Sequence, residues 1–187
     1  MKTKLMIVLA GTVLATSAAM AAEPGFYVGA NVGAAKQDVN SDGHYKDTPA
    51  TYGVYGGYNF DKNFGVEIGY QDLGGISATK ANGDTAKART NAYSADFVAR
   101  LPLTDRLDVY GKLGVVRYDR SYSGLDSASS DTGTGGKVAI GTEYSVTKNF
   151  GLRAELAQYQ GIPNRDEMGV SFKDSSTVMT LGANYRF

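Results

Sequence analysis

From Gly25 to the last residue the chain alternates between apolar and small or polar side chains, in eight separate runs. A period of two puts successive side chains on opposite faces of a strand, whereas an amphipathic helix repeats every 3.6 residues. The pattern therefore commits nearly the whole chain to sheet. The runs occupy residues 25–36, 50–60, 64–73, 89–103, 107–120, 135–146, 150–160 and 175–187. In the first, Phe26, Val28, Ala30 and Val32 share one face and Tyr27, Gly29, Asn31 and Gly33 the other. In the fifth, Leu107, Val109, Leu113 and Val115 oppose Asp108, Tyr110, Lys112 and Gly114.

The connections alternate as well. The polar triplets "DKN", "TDR" and "TKN" follow the second, fourth and sixth runs, and long polar stretches, 37–49, 74–88, 121–134 and 161–174, follow the others. Two of the short connections sit in a near repeat, "YNFDKNFGVE" and "YSVTKNFGLR", with alternation on both sides of the break. That is the signature of a tight β-hairpin. An even strand number with short turns at one end and long connections at the other is the plan of a closed, antiparallel, eight-stranded transmembrane β-barrel, an all-β fold.

Alternation alone also fits a soluble barrel, and the charges decide between the two. Glu67, Asp96, Arg100, Lys112, Glu143, Arg153 and Glu155 all fall on the Gly-rich face. The opposite face carries no charge over its central span, as lipid demands when a midplane Arg or Lys costs about 2–4 kcal/mol. A ligand-holding soluble barrel would need the reverse, an apolar lumen and a charged exterior. Aromatic residues gather where the interfaces should be. Phe26, Tyr58, Phe60, Phe64, Tyr144, Phe150, Tyr185 and Phe187 lie toward the short turns, and Tyr52, Tyr70, Tyr93 and Tyr159 toward the long connections.

The first 21 residues read differently. Lys2 and Lys4 precede an apolar stretch from Leu5 to Ala15, closed by Ala19-Met20-Ala21, which predicts a secretory signal peptide over 1–21 and a barrel over 22–187. Gly11, Thr12, Thr16 and Ser17 interrupt the run too often for a spanning helix. Loss of Lys2 and Lys4 takes the balance from 19 bases against 19 acids to 17 against 19, so no basic excess calls for nucleic acid. The absence of cysteine excludes disulfides and thiol catalysis.

The segments "LPLTDRLDVYGKLG", "GTEYSVTKNFGLRAELAQY", "FGVEIGYQDLG" and the terminal "LGANYRF" resemble the OmpA-like and OmpX-like eight-stranded outer-membrane barrels over essentially the whole mature chain. The resemblance implies a monomer in a Gram-negative outer membrane, contacting its lipid and lipopolysaccharide. It also implies that Leu181, Ala183, Tyr185 and Phe187 form an assembly signal read by the outer-membrane assembly machinery. Glu67 with Arg153, and Arg100 with Glu143, match the family's interior ion pairs, which have been discussed as a gate. The peptidoglycan-binding domain of full-length OmpA proteins does not follow Phe187 here, so peptidoglycan anchoring is not expected to carry over.

Two functions follow. In one, the barrel is an anchor and its four outer connections meet surfaces, hosts or lipopolysaccharide. In the other, the interior charges gate a narrow ion- or solute-conducting pore, which predicts that Arg153→Ala raises conductance. An eight-stranded interior is about wide enough to be filled by side chains, which favours the first. Catalysis is not expected. Some barrels of this size, such as the lipid palmitoyltransferase, use a loop His with Ser and Asp, and His44 has Ser41 and Asp42 nearby. A triad, however, needs fixed geometry, and a solvated loop residue is the simpler reading. "DVNSDG" at 38–43 begins like a calcium loop but places Pro49 where the bidentate Glu belongs. "DTGTGGK" at 131–137 lacks the rest of a phosphate loop and reads as a loop entering the sixth strand. No metal or cofactor is expected. Tyr45, Tyr122 and Leu125 are compatible with adhesion without indicating a partner.

Overall fold

The computed structural model describes residues 24–38, 49–79, 85–123, 129–165 and 171–187. Its elements are β1 (Gly25–Asp38), β2 (Ala50–Asn59), β3 (Phe64–Thr79), β4 (Thr85–Pro102), β5 (Leu107–Ser123), β6 (Ser129–Ser145), β7 (Phe150–Arg165) and β8 (Ser171–Arg186). Every strand pairs antiparallel with its successor, and β1 pairs with β8, so the sheet closes into an eight-stranded barrel without edges. Closure satisfies the backbone groups that lipid could not. The expected signal segment 1–21, with Ser41, Asp42, His44, Tyr45 and Leu125, lies outside the described residues.

Side chains divide as the alternation requires. Phe26, Ile68, Leu113, Val115, Met179 and Leu181 stand outward, more than three-fifths exposed, while Tyr27, Tyr110, Glu143 and Arg153 are buried in the lumen. Aromatic pairs line the outside near the short turns: Phe26 with Tyr58 at 4.8 Å, Phe64 with Phe97 at 5.7 Å and Tyr185 with Phe187 at 5.3 Å between ring centroids. At the other rim Tyr70 packs on Tyr93 at 5.3 Å. Tyr159 does not join this girdle. It has the parity of Arg153 and Glu155, points inward and is 4% exposed, while Gln158 takes the outward position.

The near repeat folds twice into one turn. Asp61 Oδ1 accepts the amides of Asn63 and Phe64 at 2.7 and 2.8 Å, and Thr147 Oγ1 accepts those of Asn149 and Phe150 at 3.3 and 3.0 Å. Thr104 Oγ1 does the same for Arg106 and Leu107 in the third turn. The asparagines then tie each turn to the next strand's end. Asn63 Nδ2 donates to the Arg100 carbonyl at 3.1 Å, and Asn149 Nδ2 to the Arg186 carbonyl at 2.8 Å. Asn63 and Asn149 are 86 residues apart, as are Arg100 and Arg186, so two four-stranded halves repeat one construction.

The other ends differ from expectation. The stretches 74–88, 121–134 and 161–174 are for the most part strand, and their ladders run on to Thr79↔Thr85, Tyr122↔Ser129 and Arg165↔Ser171. "DTGTGGK" likewise lies inside β6. A tilted strand crosses lipid in about ten residues, so the 16 to 18 residues of β3 to β8 leave roughly 20 Å of ladder beyond it at about 3.3 Å per residue. In sequence these extensions are rich in Ser, Thr, Lys and Asp. Outside lipid an antiparallel ladder needs no apolar stripe, which is why alternation did not reveal it.

Candidate functional site in the barrel lumen

Inward parity brings charged residues from six strands to one level of the lumen. Arg153 on β7 sits at the centre: Nη1 donates to Glu67 Oε2 on β3 at 2.8 Å, and Nη2 to Glu143 Oε2 on β6 at 2.9 Å. Arg100 on β4 reaches the same Glu143 oxygen at 2.9 Å. Lys112 on β5 bridges Glu67 Oε1 and Glu155 Oε2, both at 2.6 Å. Arg186 on β8 donates to Glu143 Oε1, which Asn184 also reaches at 3.2 Å. Six of the residues singled out in the sequence, Glu67, Arg100, Lys112, Glu143, Arg153 and Glu155, thus form one connected cluster. Asp96, the seventh, stands nearer the outer rim, paired with Lys137 at 2.6 Å and with Ser94 at 2.9 Å.

Tyrosines complete the filling. Tyr27 donates to Glu67 at 3.0 Å and Tyr110 to Glu155 at 2.9 Å. The Arg153 guanidinium carbon lies 4.6 Å from the Tyr55 ring centre, 4.9 Å from Tyr110 and 5.5 Å from Tyr27. Such cation–π contacts strengthen when water is excluded. Three glycines make room: a Cβ at Gly29 would strike the Tyr55 ring, one at Gly57 the Tyr27 ring, and one at Gly141 the Tyr110 ring. The contact of Tyr27 with Gly57 thus recurs in the second half of the barrel as Tyr110 with Gly141.

The charges balance. Glu67, Asp96, Asp108, Glu143 and Glu155 face Arg100, Lys112, Lys137, Arg153 and Arg186, with Arg186 Nη2 4.0 Å from Asp108 Oδ2. Balance is what burial requires, because an uncompensated buried charge costs about 3–5 kcal/mol. Lys137, Asp108, Arg186 and the three tyrosines lay on the polar face in sequence but did not stand out as members of the cluster. Parity was the signal available for them, and the 86-residue repeat marks Arg186 as the counterpart of Arg100.

The family model of the outer membrane protein beta-barrel domain matches residues 6–187. The chain belongs to that family. Outer membrane protein A of Yersinia pseudotuberculosis is 34% identical over 157 residues, covering 80% of this chain and 43% of that protein. The chain spans about half the length of the curated relatives it matches. Among solved structures, neisserial surface protein A aligns with a TM-score of 0.66 at 20% identity, over 87% of this chain and 97% of that one. Ail, the attachment invasion locus protein of Yersinia pestis, aligns at 0.61 and 16% identity, over 89% and 100%. At such identities the structural likeness speaks for the fold alone. As a member of this family the protein resides in the outer membrane, with its uncharged face toward lipid and its charged face in the lumen.

Proposed function

We propose that this protein is a sealed, monomeric barrel that anchors a surface-interacting rim in the outer membrane. The observation that carries this reading is the filled lumen. Glu67, Glu143, Glu155, Arg100, Lys112 and Arg153 saturate one another across it, and three tyrosines occupy the space between them. The strand extensions beyond the outer aromatic residues supply the surface on which lipopolysaccharide or another cell would be met. In this reading the alternation Leu181, Ala183, Tyr185, Phe187 is the address presented to the assembly machinery, and catalysis has no part.

A narrow pore gated by the ion pairs is the second reading. It is favoured by the shared partners: Arg153 bridges Glu67 and Glu143, and Lys112 bridges Glu67 and Glu155, so a cation could exchange one carboxylate for another. Swelling of liposomes carrying the refolded protein separates the two. Sealed barrels leave arabinose uptake at the rate of protein-free liposomes; uptake that grows with protein content overturns the anchor reading.

A further inference from the structure

Toward the outer rim from the charge cluster, the lumen changes character. Ala35 on β1, Leu73 on β3, Ala92 on β4, Val116 and Tyr118 on β5, Ala157 and Tyr159 on β7 and Val178 on β8 form one contiguous apolar cluster, each residue at most 4% exposed. Six of the eight strands contribute. The register fixes its place: Ser94 pairs with Val116 one step outward from Asp96 with Gly114 and two from Val98 with Lys112, and Ala92 pairs with Tyr118 one step farther out. Tyr118 satisfies its hydroxyl on the Gln160 carbonyl at 3.1 Å and leaves its ring in the layer. Between the two levels lies a cavity of about 20 Å³ bordered by Asn31, Ser94, Lys112, Lys137 and Tyr159, room for about one water.

We propose that the lumen is closed by two barriers in series, and that this apolar layer blocks ions even when the charge cluster is broken. The inference rests on the sealed-barrel reading and assigns the seal to named residues. The physical ground is hydration. An ion at the cluster would find carboxylates, guanidinium groups and an ammonium to replace its water, whereas the layer presents mainly methyl groups and rings, with Gln71, Ser94 and Ser176 the neutral polar side chains paired beside them, and apolar constrictions close by excluding water. Removing the Arg153 side chain enlarges the lumen beneath the layer and leaves the layer intact.

The test is planar-bilayer recording from four refolded proteins: the unaltered chain, Arg153→Ala, Val116→Ser with Val178→Ser, and all three substitutions together. Only the triple variant is expected to conduct. Arg153→Ala conducting as well as the triple variant overturns the proposal. Current through the unaltered chain instead defeats the sealed-barrel reading; the layer then stands if the two serines raise that current and Arg153→Ala does not, and falls if Arg153→Ala raises it alone. Should the serine variant fail to fold, Val116→Thr with Val178→Thr keeps the shape and takes its place. A second readout uses the absence of native cysteine. A thiol placed by Ser94→Cys, between the barriers, is expected to resist a water-soluble methanethiosulfonate, and to react at least an order of magnitude faster when either barrier is substituted. Rapid reaction with both barriers intact contradicts the seal.

Discussion

Arg153→Met keeps the bulk of the central side chain and removes its charge. Two carboxylates lose a partner, and each keeps others: Glu67 retains Lys112 at 2.6 Å and the Tyr27 hydroxyl at 3.0 Å, and Glu143 retains Arg100 at 2.9 Å with Arg186 and Asn184. Breaking one side of a buried ion pair costs about 3–5 kcal/mol. The surviving partners place this loss at the lower end, about 3 kcal/mol. The excess negative charge is then removed by adding Glu67→Gln, so the double variant should recover about 0.5–3 kcal/mol relative to the sum of the single losses, the range for directly coupled residues. The assay is urea unfolding of the barrel refolded into lipid vesicles, followed by the fraction that migrates as the compact band on an unheated gel. Additive losses, or a loss below about 0.5 kcal/mol for Arg153→Met, would show that the cluster does not act as a mutually neutralising unit.

Other expectations use the same gel and unfolding assays. Leu113→Arg, pointing into lipid beside the inward Lys112, is expected to cost about 2–4 kcal/mol; no loss would invert the assigned faces. Gly141→Ala pushes the Tyr110 ring off Glu155 and should cost about 1–3 kcal/mol, and a neutral result would mean the ring has room to move. Asn149→Ala frees the Arg186 carbonyl from the turn and is expected to cost about 1 kcal/mol, with Asn63→Ala alike because its bond to Arg100 is equivalent. Unequal losses would break the equivalence of the two halves. Deleting Phe187 should lower the amount assembled in the outer membrane while the purified protein still refolds in detergent. Undiminished assembly would remove Phe187 from the address.

Much of this architecture was legible because lipid enforces parity. Once Glu67, Lys112 and Arg153 are set inward, a one-residue slip in any of β3 to β7 would turn a charge into the bilayer, so the facing of those strands follows from side-chain type. Pairing of Glu67 with Arg153 and Arg100 with Glu143 came through the family resemblance, since parity gives a face and a height but no partner. Arg186, Asp108 and Lys137 were harder to see, because residues near a run's end look like loop polarity until neighbouring strands show that they still point inward. Tyr159 shows how ring chemistry can mislead. A tyrosine near an interface suits a girdle, yet its odd-numbered place beside Arg153 and Glu155 puts it in the lumen. The strand extensions were hidden for the opposite reason: outside the bilayer no apolar alternation is imposed. The apolar layer was hidden by sequence distance, its members lying between Ala35 and Val178.

In the sealed-barrel reading the lumen is shut by the protein's own side chains. Single-channel recording of residues 22–187, refolded and shown to be compact by the band shift between unheated and boiled samples, is the measurement to make. A sealed lumen gives a silent bilayer at protein densities where a known porin gives many steps. Reproducible unitary steps that scale with the amount of folded protein would contradict it.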